Sequence, residues 1–560
     1  MIRRFLRRTR ARLHALAVPV APYRVPVAVL GALLVVVGSW SPWATFSGFA
    51  GKMTLAYPGG ARLYTLVLAA AVALAFVPLR GRRVAGEIAG LGCLGLALLT
   101  TLAIAKEGGG LVNVAWGAWV TIVGAVLLLL SLLSLPEEEG DEPARLPDGP
   151  AFGQLVGVLA ILVTALVVVV EGLEIPSAGQ FLAYLAFLGL LAAAAAKLGV
   201  FEWLQRAAER HRMITLTAAL LAAAAFPFTQ DGSNEWVRVG CSVGVFAAAA
   251  VGLNIVVGLA GLLDLGYIAF FGVGAYVGAS LSGSPDSNVR LNLVFLVVIA
   301  VGAIFAAVLG VLIGAPTLRL RGDYLAIVTL GFGEIFRIAA NNLDGFAGPK
   351  LTNGPNGIPR VPNLNLFGFD FGESHELFGI TLGYFANYFF AELVLLAFVI
   401  LAFVRLNNSR IGRAWVAIRE DETAASAMGI NTVNMKLLAF AIGAFLAGAA
   451  GTLNAHVTTQ VSPDSYRFDE SVLLLAAVVL GGMGTIGGAI LGSTLLLVLP
   501  EKLRFFQEKR ILVFGIALIL MMRFRPEGIV PNRRRQREFH DDLSGADATS
   551  APPGAPVVST

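Results

Sequence analysis

The chain has 560 residues, of which 57% are hydrophobic and only 14% charged, and its mean hydropathy is +0.78. Soluble domains carry about 25% charged residues, so this composition excludes a soluble multidomain protein. The formal net charge of +5 does not point to nucleic acid, because the basic residues gather at the ends of apolar runs. Apolar runs of about 20 residues, each matched to a roughly 30 Å hydrocarbon core, recur along most of the chain. The expected fold class is all-α: a polytopic α-helical transmembrane protein in a lipid bilayer.

Arg3, Arg4, Arg7, Arg8, Arg10 and Arg12 open the chain, and Arg533, Arg534, Arg535 and Arg537 lie near its end. By the positive-inside rule both termini are expected in the cytoplasm. The basic start is like the n-region of a signal peptide. Its first apolar run, however, passes into "GSWSPW" with no small-residue cleavage site, which reads as an uncleaved first span. Spans are expected at 26–43, 62–79, 86–105 and 113–135, and "SWSPWATFSG" reads as a site of interfacial tryptophans. The polar, proline-bearing "PEEEGDEPARLPDGP" at 136–150 then reads as an acidic cytoplasmic linker. Cys93 and Cys241 both sit in apolar runs and suggest neither a disulfide framework nor a metal site.

Runs at 151–170, 180–200 and 213–228 follow, the last two separated by the basic helix "EWLQRAAERHR". Glycine is denser from there on, with runs at 237–257, 266–282, 291–315, 323–340, 385–405, 434–457, 470–482, 484–500 and 511–523. The number of runs is even, which agrees with both ends lying inside. "RGRR" (80–83) and "RLRGD" (319–323) fall inside in this register, while "EGLEIPSAGQ" and "TQDGSNEW" fall outside. The long polar loop 341–384 also falls outside, and its prolines, asparagines and glycines specify turns rather than a helix.

Two glycine clusters interrupt this pattern, "GLAGLLDLG" (258–266) and "GGMGTIGG" (481–488). Each glycine lowers helix stability by about 1 kcal/mol. A broken span frees backbone groups, which are tolerated at membrane depth only inside protein or beside a water-filled cavity. Paired glycine-interrupted segments point to a transport site. The competing reading is that the glycines simply let helices pack closely. On the transport reading the candidate translocation path comprises Gly258, Gly261, Asp264, Gly266, Glu334, Arg337, Gly481, Gly482 and Gly484. Glu334 and Arg337 are spaced for an i,i+3 pair, which either lines the path or serves as a structural pair facing the bundle. His456 and Glu392 lie near span ends. No run of Asp, Glu and His long enough for a proton relay accompanies them. No His/Glu/Cys constellation has metal or nucleophile spacing, so neither catalytic nor metal-binding residues are expected. The nearest approach to a P-loop, "FSGFAGKM" at 46–53, lacks its first glycine and final hydroxyl.

Five ordered blocks carry a family resemblance: "GLNIVVGLAGLLDLGYIAFFGVGAYVGA" (252–279), "LRLRGDYLAIVTLGFGEIFRI" (318–338), "LTNGPNGIP" (351–359), "AIREDETAASAMGIN" (417–431) and "VVLGGMGTIGGAILG" (478–492). The sequence resembles the membrane permease of ATP-driven branched-chain amino acid importers, the high-affinity, binding-protein-dependent type of ABC transporter. The resemblance covers about 237–531 and closes on "RPEGI" (525–529). It implies a transport subunit rather than an enzyme, with no cofactor of its own and ATP bound by other chains. The partners implied are a second permease subunit, two ATP-binding subunits and an extracytoplasmic substrate-binding protein, assembled in a bacterial cell membrane. The implied organisation is an extra transmembrane region at 1–135, the linker at 136–150 and additional helices at 151–236. The permease core then occupies 237–531, and 532–560 forms a disordered basic and polar tail.

Importer permeases carry a cytoplasmic loop of the pattern Glu-Ala-Ala, three residues, then Gly. Ala424, Ala425 and Gly429 fit it, but Thr423 occupies the acidic position and Glu422 lies one residue earlier. The resemblance thus implies coupling to the ATPase through Glu422, Thr423, Ala424, Ala425, Met428 and Gly429. Asp421 or Thr423 is expected to cap this helix and Gly429 to end it. Ala424, Ala427 and Met428 would present a small apolar face, with Arg419, Glu420, Asp421 and Glu422 in water or at the contact rim. Urea or short amides are alternative substrates for the same architecture. An ion-coupled secondary transporter is the alternative from another class; it would explain the broken helices but not the charged helix.

Overall fold

The computed structural model describes residues 18–502 except 49–50, 57–58, 74–75, 77–81, 108–109, 136–145, 148, 176–177, 230–233, 288, 290, 292, 318–322, 347 and 378, and then scattered positions to Val530. The arginine-rich start, most of the acidic linker, most of the run at 511–523 and the tail at 532–560 lie outside the described residues. The chain forms two compact units, Met1–Ala222 and Ala223–Thr560.

In the first unit, α1 (Arg24–Trp40) leads into a hairpin of β1 (Pro42–Gly48) and β2 (Gly51–Ala56). The helices α2 (Gly59–Ala73), α3 (Arg82–Glu107), α4 (Trp116–Leu133), α5 (Ala151–Glu174), α6 (Ala178–Lys197), α7 (Val200–Arg210) and α8 (Arg212–Ala224) follow. Antiparallel α1 and α4 touch at two glycine pairs. A Cβ on Gly31 would lie 2.9 Å from the Gly124 carbonyl oxygen, and one on Gly38 would lie 2.8 Å from that of Gly117. Small residues at these points let the two backbones meet, the usual device of helix pairs in lipid. The tryptophan reading needs one correction. Trp40 is 65% exposed, as an interfacial residue would be, but Trp43 is fully buried and its indole N–H donates to the Gly38 carbonyl at 2.9 Å. The turn after α1 folds Trp43 back over the helix end, a geometry that composition does not reveal.

The second unit comprises α9 (Phe226–Thr229), α10 (Asn234–Asn254), α11 (Tyr267–Leu281), α12 (Phe295–Thr317), α13 (Asp323–Asn342), α14 (Tyr384–Asn407), α15 (Arg410–Glu420), α16 (Glu422–Ala427), α17 (Thr432–Thr458), α18 (Phe468–Gly481) and α19 (Ile486–Lys502). Its centre is α17, which is buried along most of its length. Thr452 on that helix donates to the Gly274 carbonyl of α11 at 2.9 Å, and a Cβ on Gly448 would lie 2.9 Å from the Gly302 carbonyl of α12. Three helices therefore meet at backbone distance.

Among the described residues nine helices are long and apolar enough to cross a membrane, or ten if a bent pair is one span. Several expected spans are shorter than that, three of them beside the glycine clusters. The runs at 266–282, 470–482 and 484–500 become helices of 15, 14 and 17 residues. At about 1.5 Å per residue, none reaches a roughly 30 Å core by itself. Each borders one of the glycine clusters.

At one end of α14 and α17 lies the polar loop. Its short strands form two hairpins, β4 (Asn365–Leu366) with β5 (Phe369–Asp370) and β6 (His375–Leu377) with β7 (Ile380–Leu382). Before them, β3 (Ile358–Pro359) pairs antiparallel with β8 (Gln460–Val461) just beyond α17. Side chains pin the loop down. His456 Nδ1 lies 2.9 Å from the Pro362 carbonyl, Tyr388 accepts from the Leu364 amide at 2.9 Å, and Asn387 donates to the Glu373 carbonyl at 2.7 Å. Arg360 donates twice to Asp286, at 2.9 and 2.7 Å, and these bonds hold the Asp286 carboxyl below the usual carboxylate range.

Candidate functional site

The first glycine break begins where α10 loosens into a π-helical turn, Ile255–Leu259. Such turns leave the regular i→i−4 ladder and occur often at functional sites. Gly261 then takes φ +71°, which favours glycine because it has no Cβ to clash. Asp264 is fully buried. Its Oδ1 accepts from the Gly266 amide at 2.9 Å, while Thr329 Oγ1 of α13 accepts from the Leu265 amide at 3.0 Å. These bonds satisfy amides freed just before α11 begins. A Cβ on Gly266 would overlap the Thr329 carbonyl, so only glycine lets the break lie against α13.

The second break separates α18 from α19. Gly482 and Gly484 have φ of +126° and +80°, and Thr485 caps the new helix by accepting from the Gly488 amide at 3.2 Å. A Cβ on Gly481 would overlap the Gly488 carbonyl, so the two half-helices cross at backbone contact. The strip ending at Val530 covers this break: the Ile529 amide donates to Leu480 at 2.9 Å and the Val530 amide to Gly481 at 2.8 Å.

The two breaks are joined by Asn254, which lies 230 residues before Gly484. Its Nδ2 donates to the Thr485 carbonyl at 2.9 Å and its Oδ1 accepts from the Gly484 amide at 2.7 Å. Those partners, one acceptor and one donor, fix which way the amide points. A Cβ on Gly258 would strike both the Asn254 amide and the Gly484 nitrogen. Of the expected path residues, the fold thus brings Gly258 of the first break against Gly484 of the second, while Gly261 lies against Arg419 and Gly266 against Thr329. Glu334 and Arg337 follow on α13, whose Gly333 lies against Gly266 of the first break. They form their i,i+3 pair, with Arg337 Nε 2.9 Å from Glu334 Oε1, and Arg337 also approaches Asp464 at 3.8 Å.

At the end of the unit opposite the polar loop, α14 and α17 are joined by the charged segment. It forms two helices rather than one. Ser409 caps α15 by accepting from the Gly412 amide at 3.2 Å, and Asp421 caps α16 by accepting from Thr423 and Ala424 at 2.8 and 2.9 Å. The extended backbone of Asp421 makes the corner between them. Gly429, at φ +84°, ends α16 with paired bonds, Gly429 N–H to Ser426 and Ile430 N–H to Ala425, at 3.0 and 3.1 Å. This is a Schellman closure, which needs a left-handed residue at that place. Thr423, Ala424, Ala427 and Met428 are exposed, whereas Ala425 faces inward.

One of the charges expected in water or at the contact rim, Arg419, turns inward instead. Arg419 Nη1 donates to the Gly258 carbonyl at 2.8 Å, and its stem lies where a Gly261 side chain would be. Glu422 pairs with the buried ammonium of Lys436 at 2.6 Å. The reason is geometric: the corner at Asp421 turns α15 along the bundle, so its last turn faces the first break. Trp415, fully buried, fixes α15 by donating to the Met435 carbonyl at 2.7 Å. Sequence reasoning passed over Asn254, Thr329, Trp415 and Lys436. A lone amide or hydroxyl in an apolar run beside a glycine cluster was the available signal for the first two.

Comparison with known proteins agrees with this architecture. Residues 236–522 match the family model described as branched-chain amino acid transport system / permease component. The chain is 42% identical over 335 residues to the high-affinity branched-chain amino acid transport system permease protein LivM of Escherichia coli K12, covering 57% of this chain and 75% of that protein. It is 30% identical over 301 residues to BraD of Pseudomonas aeruginosa, a permease protein of the same description, covering 52% and 93% of the two chains. A shorter likeness, 37% over 125 residues, links it to the LivH permease of Salmonella typhimurium, covering 22% of this chain and 40% of that one. No solved structure matches. A multi-pass α-helical protein with both glycine breaks inside the matched region, the chain belongs to the branched-chain amino acid transport permease family.

Proposed function

We propose that the chain is the permease subunit of an ATP-driven importer for branched-chain amino acids, forming the translocation path and handing the work of ATP hydrolysis to separate subunits. The observation that carries the reading is the capped helix pair at 410–427 closed by Gly429, which presents Thr423, Ala424, Ala427 and Met428 outward. Met428 is 83% exposed beside three small residues, a shape suited to a shallow cleft on a partner. On this reading α16 faces the cytoplasm and docks on an ATP-binding subunit. The polar loop at the other end of the unit faces the external binding protein. A second related permease completes the path, whose walls include the two glycine breaks. The N-terminal unit lies outside the region shared with the family and is assigned no part in the transport step.

The test is Gly429→Val. At φ +84° a β-branched residue is strained by about 1–3 kcal/mol, enough to displace the helix end. Uptake and substrate-stimulated ATP hydrolysis by the assembled complex should fall together while the protein remains inserted and binding protein still docks. Normal transport with intact stimulation would remove 422–429 from the transmission role. Urea or amide uptake by the wild-type complex, with no amino acid uptake, would retain the architecture and replace the substrate.

A further inference from the structure

The charged segment and the two glycine breaks are joined by polar contacts through Arg419 and Asn254. The guanidinium of Arg419, at the end of α15, holds the Gly258 carbonyl at 2.8 Å. Gly258 sits in the π-helical turn Ile255–Leu259, which begins directly after Asn254. Asn254, fully buried, holds both the Gly484 amide and the Thr485 carbonyl of the second break. The Gly258 carbonyl and the Gly484 amide lie where a regular helix is interrupted, so a side chain supplies what the helix ladder does not, whereas the Thr485 carbonyl also accepts from the Ala489 amide at 3.2 Å. A buried amide with both ends engaged is costly to leave half-satisfied, which gives the junction two-sided rigidity. Behind Arg419, Trp415 bolts the same helix to the start of α17 through the Met435 carbonyl.

We infer that Arg419 and Asn254 are positioning residues for transport: they tie α15, which joins the ATPase-docking helix α16 at Asp421, to both breaks, so that displacement of α15 moves the two breaks as one. This rests on the reading of 422–429 as the coupling element. Neither residue needs to touch substrate. Their contribution is to the ratio between ATP hydrolysed and substrate moved.

The test uses the complete importer complex in lipid vesicles, with uptake and ATP hydrolysis measured on the same preparation. Arg419→Met keeps an apolar stem over Gly261 and removes the donor, Arg419→Lys keeps a charged donor, and Asn254→Leu keeps the size and removes both polar ends. Arg419→Met and Asn254→Leu should each raise ATP consumed per substrate transported by about fivefold or more, the lower range of coupling between linked sites. Arg419→Lys should recover at least part of that loss. The double variant should be no worse than the poorer single one, because both cut one connection. An unchanged ratio in both Arg419→Met and Asn254→Leu overturns the inference, and so does loss of assembled protein with the ratio preserved. Gly429→Val in parallel separates the two readings. If it keeps normal uptake and substrate-stimulated hydrolysis, the assignment of 422–429 falls; if both of these fall while the Arg419 and Asn254 variants leave the ratio of ATP to substrate unchanged, only the connection falls.

Discussion

In the N-terminal unit, Gly31, Gly38, Gly117 and Gly124 lie within intact helices and serve close approach between α1 and α4. In the permease unit, Gly261, Gly482 and Gly484 take positive φ and end helices, while Gly258 and Gly481 bring the resulting ends into contact. The two uses have different consequences. Packing glycines leave every backbone bond in the helix, so they ask nothing of neighbouring side chains. Breaking glycines release amides and carbonyls that must be matched, and Asp264, Thr329, Asn254, Arg419 and Thr485 provide those matches. A row of glycines in an apolar run therefore says little until its backbone conformation is known.

The largest effect should come from the breaking kind. Gly482→Val places a β-branched residue at φ +126°, a strain of about 1–3 kcal/mol, and should lower uptake about tenfold or more with a much smaller loss of inserted protein. Uptake and abundance falling equally would make this glycine a packing residue too and erase the distinction. The packing kind should behave oppositely. Gly31→Leu meets the Gly124 backbone at 2.9 Å, and such overpacking costs about 1–3 kcal/mol. Abundance should fall, while uptake per inserted molecule stays near the wild-type value. A specific loss of uptake would show that the N-terminal unit takes part in transport.

Deletion sharpens the same contrast. Gly92 of α3 lies against Leu190 of α6, and the rings of Tyr64 and Phe187 stack at 4.8 Å, so residues on both sides of the acidic linker share one unit. Removing the whole unit, 1–222, should leave a complex whose uptake per assembled molecule changes by less than about twofold, the scale of half a kcal/mol or less. Failure of transport with normal assembly would give the extension a mechanistic part.

The smallest expected effect is at the polar loop. Hydrogen bonds from Arg360 depress the Asp286 carboxyl in the folded state. Their contribution to anchoring is therefore complete above the usual carboxylate value, about 4, and is lost as pH falls through the depressed folded value. Amide-exchange protection at Val361, which donates to the Thr459 carbonyl at 3.0 Å, should drop slightly below that range. Asp286→Asn should show the reduced protection already at neutral pH. Protection unchanged in both cases would mean that β3 and β8 hold the loop alone.

The sequence by itself determined the membrane class, the positions of most helices, both glycine breaks and the capped turn around Gly429. All of these follow from local signals: apolar run length, the conformational freedom of glycine, and short oxygen side chains beside free amides. Asp421 and Gly429 are legible because their partners lie within a few residues. Tertiary structure alone decided where Arg419 goes, since its carbonyl partner is 161 residues away, and why Asn254 matters, since Thr485 is 231 residues away. It also decided that Trp43 is buried. A charged or amide side chain in the sequence declares that it needs partners. Which backbone groups are left without helix bonds, and which of them the folded chain brings within reach, is settled only when the helices pack.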